Sequence, residues 1–184
     1  WLGMPGFTGL GPWEANRTRE AGLAAMRWDG PAALALTRQN VPTLDRGDAG
    51  RASAEGLHKG AYVLDGDDDP QVVLVGTGSE LHLALEARTA LTAEGIRSRV
   101  VSMPSWELFN QQDKTYRDSV FPPAVTARVV VEAGIRQGWE RYVGADGGFV
   151  TLDRFGASAP AETLYEKFGI TSAAVVAEAK RLLA

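Results

Sequence analysis

Short runs of consecutive apolar residues recur along this chain, and segments with helical periodicity lie between them. An unbroken run of four or five apolar residues is typical of a parallel strand that is buried on both faces, because a strand with one solvated face alternates apolar and polar residues. Five strands are predicted after residue 58, at residues 61–64, 71–75, 99–102, 127–131 and 149–152. A chain with this pattern is expected to fold around a parallel sheet.

Helices are predicted between and after these strands, at residues 79–93, 106–109, 115–120, 136–142, 161–168 and 172–183. The first two strands are joined by an acidic turn at residues 65–70, which we interpret as the solvated tip of a hairpin. Strands that alternate with helices at this spacing predict a mainly parallel, twisted sheet covered by helices on both faces. Residues 59–184 are therefore expected to form a three-layer α/β domain.

The first 58 residues follow a different pattern. Residues 1–12 are rich in glycine and proline and predict a loop with a brief strand at residues 7–10. A helix is predicted from Asn16 to Trp28, and a short buried parallel strand at residues 32–36 follows it. Residues 46–58 are small and polar and are interpreted as an interdomain linker. Residues 1–45 are expected to be a partial α/β domain that precedes the complete one.

The composition narrows the possible functions. The chain has 184 residues, no cysteine and a formal net charge of -4. The lack of cysteine excludes disulfides, cysteine zinc sites, iron–sulfur clusters and a thiol nucleophile. The acidic balance disfavours a nucleic-acid partner, and no apolar run approaches the length of a membrane span. The first residues lack the basic region of a signal peptide, so we expect a soluble cytoplasmic protein with neither a nucleic-acid nor a membrane partner.

Residues 76–80, Gly-Thr-Gly-Ser-Glu, follow a predicted strand and begin a predicted helix, as a nucleotide-binding fingerprint does. The third glycine of that fingerprint would fall at position 81, which is Leu81, and no acidic residue follows the next strand to bind a ribose hydroxyl. We therefore interpret Gly76 and Gly78 as the residues of a tight turn and Ser79 as the cap of the helix, in preference to phosphate binding.

The patterns typical of metal sites and of nucleophilic catalysis are incomplete in this sequence. Asp65, Asp67 and Asp69 have the spacing that opens a calcium loop, but the glycine and the bidentate glutamate that complete such a loop are missing. His58 and His82 stand alone in sequence, without the paired spacing of a metal site. No serine lies in a nucleophile elbow. The sequence therefore predicts neither a metal site nor Ser/His catalysis.

The strongest candidate for ligand binding is Arg38, in the segment Thr37-Arg38-Gln39-Asn40. This segment follows the predicted strand at residues 32–36, and the ligands of open α/β sheets bind at the carboxyl ends of strands. A guanidinium group can hold a phosphate or a carboxylate through two parallel hydrogen bonds. A surface ion pair is the alternative use of a loop arginine.

Six blocks of the sequence carry a family resemblance. They are residues 35–40 (Ala-Leu-Thr-Arg-Gln-Asn), 60–64 (Gly-Ala-Tyr-Val-Leu), 76–80 (Gly-Thr-Gly-Ser-Glu), 99–105 (Arg-Val-Val-Ser-Met-Pro-Ser), 131–134 (Val-Glu-Ala-Gly) and 155–160 (Phe-Gly-Ala-Ser-Ala-Pro). In this order and spacing they resemble the transketolase family. Each block is weak alone, but the colinear set is specific. The resemblance implies that residues 1–45 are the truncated end of a pyrimidine-binding domain and that residues 59–184 are the family's carboxy-terminal domain.

The resemblance also implies a function. It implies a thiamine-diphosphate enzyme that transfers a two-carbon ketol unit from a ketose phosphate to an aldose phosphate in the pentose phosphate pathway. The full-length enzyme would be a homodimer that binds thiamine diphosphate, a divalent cation (magnesium or calcium) and sugar phosphates. Arg38 matches the arginine that binds the substrate phosphate in this family. The family's catalytic, cofactor-binding and metal-binding residues belong upstream of residue 1, so this chain is expected to be an inactive fragment.

The sequence departs from the family at residues 11–18, Gly-Pro-Trp-Glu-Ala-Asn-Arg-Thr, where the family has Arg-Pro-Ala-Asp-Ala-Asn-Glu-Thr. A positive charge is lost at Gly11, and a negative charge is replaced by a positive one at Arg17. Both changes bear on how residues 1–20 dock on the rest of the chain.

Two other identities for the chain stay open. Deoxyxylulose-phosphate synthases and 2-oxoacid dehydrogenase beta subunits share this domain, although the blocks at residues 37–40 and 155–160 favour transketolase. A noncatalytic dimerisation or interaction module is the other alternative.

Overall fold

The strands β1 (Thr8–Leu10) and β2 (Ala32–Leu34) pair in parallel as a two-stranded sheet in the computed structural model, which describes residues 4–44 and 51–184. The helix α1 (Ala15–Arg27) connects them and begins at Glu14, whose side chain accepts a hydrogen bond from the backbone N–H of Asn16. The brief first strand and the helix are thus confirmed. The predicted loop at residues 1–3 lies outside the described residues.

The strand β2 is exposed more than the sequence predicts. Its partner in the sheet is β1 on one edge, and Leu34 is 37% exposed while Leu36, just after it, is 58% exposed. The expectation of a buried strand at residues 32–36 is therefore wrong for this chain. A continuous apolar run is buried on both faces only where other elements cover both faces, and α1 packs on β2 from one direction.

A second sheet contains five strands in the order β3-β5-β4-β6-β7. They are β3 (Tyr62–Gly66), β4 (Val72–Gly76), β5 (Ser98–Ser102), β6 (Arg128–Val131) and β7 (Gly148–Val150). The strands β4 to β7 are parallel, and β3 is antiparallel to β5 at one edge. All five strands predicted from apolar runs are present, and the sheet is mainly parallel as expected.

Helices cover both faces of this sheet. They are α2 (Leu81–Ala93), α3 (Trp106–Asn110), α4 (Lys114–Val120), α5 (Glu140–Val143), α6 (Ala161–Phe168) and α7 (Ser172–Leu183). Val72 and Leu74 of β4 face one core with α2 and α7, whereas Val73 and Val75 face a second core with α3, α4 and α5. The predicted three-layer α/β architecture is therefore confirmed. The helix predicted at residues 136–142 begins further along the chain, at Glu140, because a turn at residues 137–139 precedes α5.

The acidic turn at residues 65–70 is not a hairpin tip, because β5 lies between β3 and β4 in the sheet. Every residue of β5 is buried, so this strand needs neighbours on both edges, whereas β3 alternates buried and half-buried residues as an edge strand does. The turn carries the chain across the amino end of β5. There Asp67 Oδ2 accepts a hydrogen bond of 3.0 Å from the backbone N–H of Ser98, and Asp65 lies 3.3 Å from Arg88 Nε.

The predicted linker is partly packed. Residues 46–50 of it lie outside the described residues, but a 3₁₀ helix at Ala54–Lys59 packs against α1. Leu57 of this helix is fully buried in a small core with Leu10 and Ala21. In the part of the chain that the structure describes, no helix is long and apolar enough to cross a membrane.

A matched pair of glycines tests the packing at the end of this 3₁₀ helix. Gly60 (φ +81°) and Gly95 (φ +77°) both have a positive φ, which disfavours an alanine at either position. A Cβ at Gly60 would lie 2.5 Å from Ser105 O and closer still to the backbone N of Phe109, whereas among the described residues no atom lies within 4 Å of a Cβ at Gly95. We expect Gly60→Ala to lower the free energy of unfolding by about 1–3 kcal/mol more than Gly95→Ala does. Urea unfolding of both variants measures the difference, and equal losses would contradict this packing.

Candidate functional site

The connections of the large sheet diverge at its centre. The chain passes from β4 to β5 on one side and from β6 to β7 on the other, so the loops after β4 and β6 separate. In open α/β sheets, ligands bind at the carboxyl ends of the strands where the connections diverge in this way. A cleft of about 250 Å³ lies there, lined by residues 77–80 after β4, residues 103–107 after β5, and Glu132 and Ala133 after β6.

The small sheet closes this cleft from the other side. The backbone N–H of Gly11, after β1, donates a hydrogen bond of 2.8 Å to Pro104 O, and the backbone N–H of Gly78 donates one of 3.2 Å to Gly11 O. A Cβ at Gly11 would lie 3.1 Å from Thr77 Oγ1, so the absence of a side chain permits this close approach. Thr8 Oγ1 also lies 3.2 Å from Ser105 Oγ. The carboxyl ends of both sheets therefore face one another.

Arg17, the second departure from the family pattern, lies in the same docking region. Its side chain is fully buried, lies 3.6 Å from the carboxylate of Glu14, and donates a hydrogen bond of 2.6 Å from Nε to the hydroxyl of Tyr62. The guanidinium carbon also lies over the rings of Trp13 and Tyr62, at 5.7 and 5.6 Å from their centroids. Arg17, whose charge is opposite to that of the family's glutamate, thus joins α1 to β3 through Tyr62.

The tight turn after β4 is confirmed, but the cap is not. Gly78 has φ +54°, and a Cβ at Gly76 would lie 2.7 Å from Leu81 Cα, so both positions require glycine. The predicted role of Ser79 as the helix cap is wrong, because a 3₁₀ turn at Gly78–Glu80 precedes α2 and no side chain caps either segment. Ser79 Oγ instead donates to Glu80 Oε1 at 2.8 Å.

A hydrogen-bond network joins this turn to α6 and to the segment at residues 37–40. The hydroxyl of Tyr165 in α6 donates to Glu80 Oε1 and lies 3.0 Å from Ser79 Oγ. Gln39 Nε2 donates a hydrogen bond of 3.1 Å to the same hydroxyl, and Thr37 Oγ1 donates to Gln39 Oε1. Burial, and then the negative charge of Glu80, raise the pKa of Tyr165 well above its ordinary value. The hydroxyl therefore keeps the proton that it donates.

Arg38 lies within this held segment. Its side chain is exposed, and in the described ranges 4–44 and 51–184 no hydrogen bond or ion pair engages its guanidinium. The side chains of Thr37 and Gln39, on either side of Arg38, both form hydrogen bonds, whereas the side chain of Arg38 is available to a ligand.

Glu132 is a second carboxyl group in the cleft, and it is half-buried. The indole N–H of Trp139 donates to Glu132 Oε2, and Trp139 itself is 1% exposed and packs edge-on against Trp106. Burial raises the pKa of Glu132 above its ordinary value, and the negative charge of Glu80 adds to the effect. No spacing pattern pointed to Glu80, Glu132 or Tyr165 as site residues, because they lie after β4, after β6 and in α6, and only folding brings the other two near Glu80.

The two histidines each contact neighbouring side chains or backbone within the protein. His58 Nε2 lies 2.8 Å from Glu20 Oε2 and joins the 3₁₀ helix at Ala54–Lys59 to α1. His82 Nδ1 contacts the backbone O of Ser79, and its ring stacks on Trp13. Within the residues that the structure describes, no group of three or more histidine, aspartate or glutamate side chains could hold a metal ion.

Comparison with known proteins gives one consistent family. Residues 60–171 match the family model of the transketolase-like TK C-terminal domain. The transketolase of Geobacillus stearothermophilus is 49% identical over 183 residues, which are 98% of this chain and 27% of that protein. The structure of transketolase from Leishmania mexicana superposes with a TM-score of 0.88 at 40% identity, over 100% of this chain and 27% of that one.

A third relative carries a ligand. The structure of transketolase from Pichia stipitis in complex with sedoheptulose 7-phosphate has a TM-score of 0.88 at 34% identity, over 98% of this chain and 26% of that one. The chain thus spans about a quarter of the length of each of these relatives.

Stability should depend on pH through Glu132. At pH well below the ordinary glutamate pKa of 4.5, both the folded and the unfolded chain hold the Glu132 proton. As the pH rises, the unfolded chain releases the proton first, so the free energy of unfolding falls until the raised pKa of the folded state is passed. Glu132→Gln keeps an acceptor for Trp139 and removes this dependence, so its stability relative to the parent should rise between pH 4 and pH 7.

The matched control is Glu86→Gln, at an exposed position on α2. Thermal unfolding of the parent and both variants across this pH range makes the measurement. The raised pKa of Glu132 is contradicted if the stability of Glu132→Gln relative to the parent stays constant with pH, or if it changes with pH as that of Glu86→Gln does.

Proposed function

This chain belongs to the transketolase family, and from that premise we propose that it is the carboxy-terminal part of a full-length transketolase subunit. In this proposal residues 59–184 are the carboxy-terminal domain, residues 46–58 the linker and residues 1–45 the end of the pyrimidine-binding domain. The two separate sheets, joined across their strand ends, support this division. The proposed activity is the transfer of a two-carbon ketol unit from a ketose phosphate to an aldose phosphate, in the pentose phosphate pathway.

The proposed enzyme uses thiamine diphosphate and a divalent cation, magnesium or calcium. Among the described residues no set of side chains fits the cation. We propose that the cofactor and the catalytic groups belong to the remainder of the subunit. This part of the subunit alone is proposed to be inactive. The full-length enzyme is proposed to be a cytoplasmic homodimer.

The proposed role of this chain in the reaction is phosphate binding by Arg38. The observation that carries it is an exposed guanidinium without a protein partner in the described ranges, held between two bonded residues just after the carboxyl end of β2. A guanidinium fork matches the oxygens of a phosphate group and forms charge-assisted hydrogen bonds with them. The Pichia stipitis relative was solved with a sugar phosphate, which supports this class of substrate.

A noncatalytic interaction module is the alternative to a fragment of an enzyme. The mass of the natural polypeptide separates the two proposals. A subunit several times heavier than the 19.7 kDa of this sequence supports the enzyme, whereas a natural polypeptide near 19.7 kDa contradicts it.

Arg38→Ala in a full-length subunit that contains this sequence tests the phosphate role. Loss of a charge-assisted phosphate contact should cost about 1.5–3 kcal/mol of binding free energy. If Arg38 binds the phosphate equally well in the ground state and the transition state, the loss is seen mainly as a raised KM for the ketose phosphate. Steady-state kinetics with sedoheptulose 7-phosphate as the donor measures it.

Arg97→Ala is the matched control, because this arginine is also exposed but pairs with Asp69 near the amino end of β5. It should leave the KM unchanged. A KM for Arg38→Ala equal to that of the parent enzyme would overturn the assignment.

A further inference from the structure

The side chain of Gln39 connects the proposed phosphate-binding segment to the large α/β domain. Its amide oxygen accepts from Thr37 Oγ1 on one side of Arg38, and its amide nitrogen donates to the hydroxyl of Tyr165 at 3.1 Å. Both ends of the amide are therefore used, and its orientation is fixed by the two partners. The segment that carries Arg38 is thereby tied to α6.

The hydroxyl of Tyr165 is itself held by buried groups. It donates to Glu80 Oε1, and Ser79 Oγ lies 3.0 Å away and donates to the same carboxylate oxygen. Glu80 is 6% exposed and Ser79 is 9% exposed. A hydrogen bond to a buried carboxylate is among the stronger ones, so the position of this hydroxyl is set by the end of β4. The chain of bonds thus runs from the centre of the sheet to residues 37–40.

Open space lies beside this connection. A cleft of about 490 Å³ is lined by residues 39–42, by His82 and by Pro160–Glu162 and Tyr165 of the segment around α6. Residues 39–42 therefore lack close packing on this side. Val41 packs against the core that α2 and α7 cover, whereas Gln39 reaches α6 through its hydrogen bond to Tyr165.

We propose that Tyr165, held by Glu80 and Ser79, is a positioning residue that fixes the segment of residues 37–40 and hence the place of Arg38 in the phosphate site. The proposal rests on the phosphate role of Arg38 given above. It assigns the carboxy-terminal domain a part in substrate recognition: it sets the location of the phosphate-binding cation without touching the substrate.

Tyr165→Phe in the full-length enzyme tests this proposal. The variant removes one hydroxyl, so Gln39 loses its partner on α6 while the ring remains. With an unphosphorylated aldehyde as acceptor, the KM for sedoheptulose 7-phosphate should rise about 3- to 10-fold while kcat stays within about twofold of the parent value. With sedoheptulose as the donor, kcat/KM should not change, because that ketose has no phosphate for Arg38 to bind.

Tyr142→Phe is the matched control. The hydroxyl of Tyr142 also has a side-chain partner, Asn110 Oδ1 at 3.1 Å, but it belongs to the core on the opposite face of the sheet. This variant should leave the kinetics with both donors unchanged. Gln39→Ala removes the same connection from its other end, and we expect it to reproduce the selective rise in KM.

The double variant Arg38→Ala/Tyr165→Phe separates this proposal from the one on which it rests. If Tyr165 acts through Arg38, the double variant should have the same KM for the ketose phosphate as Arg38→Ala alone. An effect of Arg38→Ala without any effect of Tyr165→Phe would overturn the positioning role and leave the phosphate role intact. No effect of Arg38→Ala would overturn both. Equal losses with phosphorylated and unphosphorylated donors would assign Tyr165 a purely structural role and likewise overturn the proposal.

Discussion

The complete burial of strand β4 is the constraint on which the rest of the structure depends. All five residues from Val72 to Gly76 are buried, and successive side chains enter separate cores on the two faces of the sheet. A strand of this kind needs a hydrogen-bonded neighbour on each edge and a helical layer on each face. These requirements place β5 and β6 beside it, and they bring the loops that follow β4 and β6 to the cleft where the connections diverge.

The contact between the two sheets depends on backbone groups more than on side chains. Gly11 donates to Pro104 O and accepts from the backbone N–H of Gly78, and these bonds leave little room for larger residues. Backbone hydrogen bonds across a narrow gap fix distance and direction together. The segment after β2 is consequently brought to the end of β4, where Gln39 meets Tyr165. The same contacts occupy the N–H of Gly78, which a phosphate-binding turn would leave free for its ligand.

The pattern of apolar residues in the sequence predicts where the strands and helices lie. It does not predict the order of the strands in the sheet. Apolar runs located all five strands of the large sheet, because strands that lie between two layers of helices are rich in apolar residues. They could not show that β5 separates β3 from β4, since sheet order depends on which strands need two neighbours. Arg38 was found by its place after a strand and by the family resemblance. Glu80 and Tyr165 carry no local pattern, because their relation exists only after folding.

The two carboxyl groups of the cleft, buried Glu80 and half-buried Glu132, have different surroundings. Glu80 directly precedes α2, where the positive end of a helix favours negative charge, and it accepts hydrogen bonds from two hydroxyl groups. Glu132 follows β6 without a helix at that point, and its oxygen accepts from one indole N–H. Burial and the charge of Glu80 therefore raise the pKa of Glu132. Thr37, Gln39 and Tyr165 each donate a hydrogen bond toward Glu80, so the bonds of this network run in one direction and hold one geometry.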